Sequence, residues 1–244
     1  SSLVIPNSIT AINDRTFTWC TELTSITIPS TVTYIGEGAF LSCQKLESID
    51  IPNSVQQIGD YAFSDCYGLT SLTIPNSVTQ IGRNAFDTCT NLTSASLPNS
   101  ISTIETETFR CCDKLASISL PSSITSIGDG AFMCCGSLTS ITIPYSVTHI
   151  GESAFESCVS LTSIYGKYAS DDHRCLIIDG KLTTFLSKGL TSYTIPNTVT
   201  SIGNNVFSYC EGLTSVIILI AVNHIGTNAF NYCWGLQWIY IDNT

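Results

Sequence analysis

Twelve cysteines, three histidines and nineteen carboxylates are the groups in this 244-residue chain able to serve as nucleophiles, bases or metal ligands. Their spacing argues against most of that chemistry. Nine cysteines sit in the frame Cys-x-x-Leu, from Cys20 to Cys233. Seven of these, Cys20, Cys43, Cys66, Cys89, Cys112, Cys135 and Cys158, recur every 23 residues. A zinc site draws on Cys or His pairs two to four residues apart. Here each repeat offers one thiol, so no metal ligand and no cofactor are expected. Unpaired cysteine is among the most buried residue types, and the row reads as a core ladder. Cys111 and Cys134, also 23 apart, lie beside ladder members. Neighbouring coils bring Cα atoms within the ~4.4–6.8 Å a disulfide spans, so a Cys111–Cys134 bond is an open alternative to two thiols.

His149 and His224 stand just before Ile-Gly, where other repeats carry Tyr34, Gln57, Gln80, Thr103 or Ser126. A position that accepts such variety is exposed and a poor place for a general base. His173 follows Asp171 and Asp172, the one spot where a histidine and carboxylates are close in sequence, and it reads as a solvated loop. Nucleophilic catalysis needs a base beside the nucleophile. No such pair is found, so no catalytic residue is assigned and the chain is expected not to be an enzyme. The sequon Asn91-Leu92-Thr93 begins a strand and carries little weight.

One unit places all of these residues. Residues 23–45, LTSITIPSTVTYIGEGAFLSCQK, return as 46–68 and 69–91. Pro6, Pro29, Pro52, Pro75, Pro98, Pro121 and Pro144 keep the same 23-residue step, as do Phe17, Phe40, Phe63, Phe86, Phe109, Phe132 and Phe155. A fixed period of this length means a solenoid. In the second repeat Leu23, Ile26, Ile28, Val32, Ile35, Ala39, Phe40 and Cys43 are expected to point inward. One coil buries too little apolar surface to offset the entropy of ordering its backbone. Stacked coils cover each other's faces, and stability becomes a sum of units and interfaces.

The segment Leu-x-x-Ile-x-Ile-Pro resembles the strand of a leucine-rich repeat. The tail Val-x-x-Ile-Gly-x-x-Ala-Phe-x-x-Cys is similar to the BspA-like, or Treponema-type, subfamily, and the likeness covers nearly the whole chain. It implies an α/β leucine-rich-repeat solenoid with a parallel β-sheet on the concave side and short helices on the convex side. It also implies a microbial surface protein that binds other proteins. Residues 1–244 are expected to form a single leucine-rich-repeat domain of about ten repeats. The chain opens on Ser1-Ser2-Leu3, in the middle of a repeat, and is expected to be a fragment of a longer one.

Strands are expected at Leu23–Ile28, Leu46–Ile51 and onward to Leu236–Ile241, most of them closed by proline, which has no N–H for a ladder. Gly36, Gly59, Gly82, Gly128, Gly151, Gly203 and Gly226 follow isoleucine, where a backbone angle open only to glycine is expected. The acids that come next, such as Glu37, Asp60, Asp129 and Glu152, suit the N-terminus of a short helix through Ala-Phe-x-x-Cys. The period breaks once, between Pro144 and Pro196. There Cys175–Ile178 and Lys181–Leu186 flank Asp179-Gly180, a type I′ hairpin signal. An irregular repeat with a hairpin insertion at 165–190 is expected, as a functional protrusion or a spacer.

Only 11% of residues are charged and 43% are hydrophobic, with a net charge of −10. Nine scattered Lys and Arg disfavour nucleic acid and anionic membranes as partners. The longest apolar run, Val216 to Val222, falls far short of the ~20 residues of a spanning helix, so no membrane insertion is expected in this fragment.

By the period of two, strand residues between the buried ones face outward: Ser25 and Thr27, Ser48 and Asp50, Ser71 and Thr73, and so on to Ser140 and Thr142. They form a carpet of hydroxyls. At the far end Tyr165, Ile217, Trp238 and Tyr240 take outward places. Apolar and aromatic groups exposed together mark contact surfaces. The candidate ligand-binding surface is Tyr165, Ile217, Trp238 and Tyr240 with Ser192, Thr194, Ser140, Thr142 and Asp50; the alternative is that Trp234, Trp238 and Tyr240 only close the last coil or pack on a further repeat outside this fragment. The resulting expectation is a binding or adhesion protein, at the cell surface or secreted, with an extracellular or host protein as partner. The alternatives are an intracellular scaffold, or recognition of a glycan or lattice (polysaccharide or ice) through the Ser/Thr array.

Overall fold

Leu23, Ile26, Ile28, Val32, Ile35, Ala39, Phe40 and Cys43 line the inside of their coil, none more than 7% exposed. The computed structural model that shows this describes residues 2–242. The chain divides into two compact units, Ser1–Leu138 with Pro144–Val159, and Thr139–Ile143 with Ser160–Thr244.

In the first unit each coil contributes two short strands. The first row holds Ser2–Val4, Ser25–Thr27 and Ser48–Asp50, then Ser71–Thr73, Ser94–Ser96 and Ser117–Ser119. All pairings are parallel and in register at the repeat period, as Ile26 opposite Ile49 shows. The second row was not anticipated from the sequence. It consists of two-residue strands, Ala11–Ile12, Tyr34–Ile35, Gln57–Ile58 and Gln80–Ile81, then Thr103–Ile104, Ser126–Ile127 and His149–Ile150. On the turn segment that follows, Phe17 to Phe155 stack in one column, with ring centroids 5.1–5.7 Å apart.

The parallel-sheet solenoid with its 23-residue period stands, but the short helices do not: no helix occurs among the described residues. The Ala-Phe-x-x-Cys segment is a chain of turns, and its backbone explains why. Gly38 and Ser42 are left-handed, with φ of 55° and 59°, and Tyr61, Asp65, Asn84 and Thr88 repeat the pattern in the next coils. A left-handed residue at every fourth place interrupts the run of right-handed dihedrals a helix needs. Alternate N–H groups turn sideways instead. Those of Gly38, Phe40 and Ser42 donate to the carbonyls of Asp60, Ala62 and Ser64 in the following coil, each at 2.8 Å. Those of Ala39, Leu41 and Cys43 close turns three residues back. A left-handed non-glycine residue costs about 1–2 kcal/mol, and the lateral bonds offset that cost.

The Ile-Gly corners also differ from expectation. Gly36 and Gly59 are not left-handed. The limit is space, since a Cβ on Gly59 would lie 2.6 Å from the Glu37 nitrogen and 2.7 Å from the Gly36 carbonyl carbon of the preceding coil. Glycine is needed for close approach. Of the acids that follow, Asp60 and Asp129 cap backbone N–H groups, but across coils, as Asp14 does after Asn13, whereas Glu37 and Glu152 supply the N–H that is capped. Asp14 Oδ1 accepts from Glu37 N at 2.9 Å, Asp60 Oδ1 from Arg83 N at 2.8 Å, and Asp129 Oδ1 from Glu152 N at 2.8 Å.

The second unit uses the same coil. Its first row comprises Ser140–Ile143 with Ser163–Gly166, and Ser192–Thr194, Ser215–Leu219 and Trp238–Asp242. The hairpin forms as read, with Cys175–Ile178 antiparallel to Lys181–Phe185 and both turn residues left-handed (Asp179 φ 49°, Gly180 φ 78°). It is built into the stack. Lys181 and Leu182 pair in parallel with Ser201 and Ile202, so the hairpin's second strand fills a second-row place. Its Cys175, Leu182 and Phe185 pack in one cluster with Tyr193, Phe207 and Val216.

Candidate functional site

Strand residues alternate between core and solvent, and the first row shows it directly: Ile49 is buried between exposed Ser48 and Asp50, and Leu72 between Ser71 and Thr73. Parallel register then lines like residues into columns. Ser71, Ser94 and Ser117 form one, Thr73, Ser96 and Ser119 another. Asp50, beside Thr27, adds a carboxylate to this hydroxyl surface in the first unit.

In the second unit Thr194, Ile217 and Tyr240 lie side by side, and Ser192, Ser215 and Trp238 form the next column. Trp238 and Tyr240 are 59% and 52% exposed, their rings 6.4 Å apart and within 23° of parallel. Five of the nine residues singled out from the sequence thus share one three-stranded sheet. Ser140, Thr142 and Tyr165 belong to a separate two-stranded ladder, with Thr142 opposite Tyr165. The Tyr165 ring lies 4.6 Å from that of His173.

A second aromatic row escaped the sequence reading. Tyr209, Tyr232 and Trp234 are exposed on the turn side of the second unit. Tyr209 stacks on Tyr232 at 4.8 Å, and Tyr232 meets Trp234 edge-on at 6.0 Å. Tyr209 and Tyr232 are one period apart, just before the ladder cysteines Cys210 and Cys233, which was the available signal.

Two members of the histidine–carboxylate trio have different partners, His173 the Tyr165 ring and Asp172 a set of hydrogen-bond donors. Asp172, exposed in its loop, accepts bonds from Ser170 Oγ, the Arg174 N–H at 3.1 Å and the Tyr193 hydroxyl at 3.0 Å. Partial burial raises its pKa, but those hydrogen bonds outweigh it and hold the carboxyl below its ordinary range. Cys175 Sγ lies 3.1 Å from the Tyr193 hydroxyl, and burial pushes its thiol up to about 12. A buried neutral thiol hydrogen-bonded to a tyrosine hydroxyl is not an activated nucleophile.

The ladder cysteines are hydrogen-bond donors. From Cys43 to Cys158 the S–H points to the phenylalanine carbonyl of the preceding coil: Cys43 to Phe17, Cys66 to Phe40, Cys89 to Phe63, and so on to Cys158 and Phe132, at 3.0–3.3 Å. Burial raises their pKa values, to about 12 at Cys43 and Cys158. All twelve cysteines, Cys111 and Cys134 included, are free thiols. Among the described residues no three His, Cys, Asp or Glu side chains gather as a metal-binding group, and no helix is long and apolar enough to cross a membrane. The sequon's Asn91 gives its amide to the Tyr67 carbonyl at 2.7 Å.

These features define a repeat solenoid that presents sheet faces lined by hydroxyl and aromatic groups. The sequence profile of the BspA type leucine rich repeat region matches in six copies, over residues 1–89, 57–168 and 181–244. The chain belongs to the BspA-type leucine-rich repeat family. A leucine-rich cell surface protein of Faecalibacterium prausnitzii is similar, with 33% identity and a TM-score of 0.83 over 98% of this chain and 69% of that one. The leucine-rich repeat protein of T. pallidum is 26% identical, with a TM-score of 0.50, over 79% of this chain and 75% of that one. The pneumococcal vaccine antigen PcpA shares the fold, at 19% identity and a TM-score of 0.59, over 98% of this chain and 60% of that one. No curated protein matches the sequence. Neither the family nor these neighbours indicates a catalytic activity.

Proposed function

We propose that the chain is a non-enzymatic recognition module, on the cell surface or secreted, that binds an extracellular or host protein through the outward face of its strands. The observation that carries this reading is the Ile217–Trp238–Tyr240 patch. It sets two wide aromatic rings and a branched aliphatic on one face of a sheet, beside Ser192, Ser215 and Thr194. Aromatic anchors inside a polar rim are the usual composition of a protein-binding hot spot. The cell-surface assignment rests on the description of the F. prausnitzii relative, and a fold alone does not fix a function. Tyr165 with Thr142 and Ser140 are proposed as further binding residues of the second unit, and Asp50 as a separate one of the first.

Pull-down from extracellular and host proteins tests this, with the native chain compared against Trp238→Ala/Tyr240→Ala. Loss of a captured protein in the double variant is expected, and equal capture by both removes the patch from the site.

The hydroxyl columns support a second reading. Their ranks repeat at the ~4.8 Å strand spacing, a pattern suited to hydrogen-bonding an extended polysaccharide. A glycan array separates the readings: glycan binding kept by the aromatic variant but lost on replacing Ser94 and Ser117 with valine favours the columns.

A further inference from the structure

We propose that Cys111 and Cys134 form a dithiol modification site, which an oxidant of the peroxide or small-molecule disulfide class converts to a disulfide joining adjacent coils. The two residues occupy the same left-handed place in successive coils, with φ of 53° and 60°. Their side chains therefore leave the backbone in the same direction, one coil apart. The Cys111 N–H donates to the Met133 carbonyl at 2.8 Å, which pins one coil to the next at this point. The Phe109 and Phe132 rings, two residues earlier, are 5.7 Å apart. A backbone hydrogen bond between the coils at this point holds the two Cα atoms near the ~4.4–6.8 Å separation a disulfide accepts.

Access and competition single out this pair. Cys112 and Cys135, next in sequence, are fully buried, and their S–H groups are committed to the Phe86 and Phe109 carbonyls at 3.3 and 3.2 Å. Cys111 and Cys134 are partly exposed. Partial burial, together with the charge and hydrogen bonding of Cys134, moves the Cys111 thiol up to about 11, while Arg110 pulls the other way. Thiolate is the reacting form, so the modification speeds up as pH rises.

With hydrogen peroxide, one thiolate attacks an oxygen, the O–O bond breaks, and a sulfenic acid and water result after proton uptake. The second thiol then attacks that sulfur, the S–S bond forms, and the sulfenic oxygen leaves as water. Two thiols lose two electrons and one peroxide gains them. With oxidised glutathione, a mixed disulfide forms first and the neighbouring thiol displaces the second glutathione.

The test treats the folded, reduced full chain with oxidised glutathione, quenches, unfolds it, alkylates the remaining thiols and maps peptides without reduction. A Cys111–Cys134 cross-link is expected, with the ladder cysteines alkylated. Cys111→Ser is expected to abolish the cross-link and leave glutathione on Cys134. Cys111→Thr, carrying the residue that Thr88 places at this position one coil earlier, serves if the serine variant does not fold. Separate glutathione adducts on Cys111 and Cys134 in the native chain overturn the proposal. So does a cross-link that pairs either residue with a ladder cysteine, or the absence of any modification at both.

Discussion

Arg110 clasps the carboxylate of Asp87 in the preceding coil, Nε to Oδ1 at 3.0 Å and Nη2 to Oδ2 at 2.8 Å. The Asp87 side chain is only 7% exposed, the arginine 35%. Thr88 Oγ1 adds a bond to Oδ1 at 3.0 Å. A buried carboxylate that loses its cation leaves an uncompensated charge. Arg110→Ala is expected to cost about 3 kcal/mol, the low end for buried pairs, because the arginine keeps a third of its surface in water. Arg110→Ala/Asp87→Leu is expected to recover part of the loss, as urea midpoints will show.

Phe86 is fully buried, with its ring between Phe63 at 5.4 Å and Phe109 at 5.5 Å. Truncation leaves a cavity that two rigid neighbours cannot fill. Phe86→Ala is expected to cost about 3–5 kcal/mol, and an unchanged melting temperature would contradict the column.

Glycine substitutions separate crowding from backbone angle. Gly59→Ala drives a methyl into the backbone of the preceding coil and is expected to cost about 3 kcal/mol or more. At Gly38, φ is 55° but the nearest atom to an added Cβ is 3.5 Å away, so Gly38→Ala is expected to cost about 1–2 kcal/mol. Gly136, where the nearest atom lies 3.7 Å from an added Cβ, is expected to accept alanine within ~0.5 kcal/mol. Chemical denaturation of the three variants gives the order.

Alkali is expected to weaken the fold. In the folded chain Cys43, Cys158, Cys175 and Cys210 titrate near 12 because burial disfavours the thiolate. In the unfolded chain they titrate near ~8.5. Between these values the unfolded state has released protons that the native state retains, so stability falls as pH rises. It is fully present below about 8.5 and continues to fall toward 12. Urea midpoints at pH 8 and pH 10 are expected to show the drop, and Cys43→Ser to make it shallower.

Much of the stack was legible because three marker columns keep one period. Proline, phenylalanine and cysteine in register leave little choice for the inward face. The helices were misread at a specific place. Ala-Phe-x-x-Cys fits one helical turn as well as it fits linked turns, and a left-handed Ser42 or Asp65 carries no signal that glycine would have supplied. The same error hid Tyr209 and Tyr232, which ride on that segment. Gly59 was recognised as indispensable for the wrong reason, since one coil's sequence cannot reveal how near its neighbour comes. Asp179-Gly180 announced the hairpin, because both residues tolerate the angles a tight turn requires. That its second strand would stand in for Tyr34–Ile35 or Gln57–Ile58 depends on pairing with Ser201–Ile202, a contact made through folding rather than along the chain. Trp238 and Tyr240 were placed outward by alternation alone.

The sideways bonds from Gly38, Phe40 and Ser42, and the Asp60 cap on Arg83, all join one coil to the next at a fixed offset along the chain. Recombination that inserts or removes a whole unit delivers every donor to an equivalent acceptor. A slip of any other size misaligns phenylalanine, cysteine and glycine columns together. Gene-length variation in such an array is thereby quantised by protein geometry, and a lineage can lengthen or shorten its display surface without redesigning the interior.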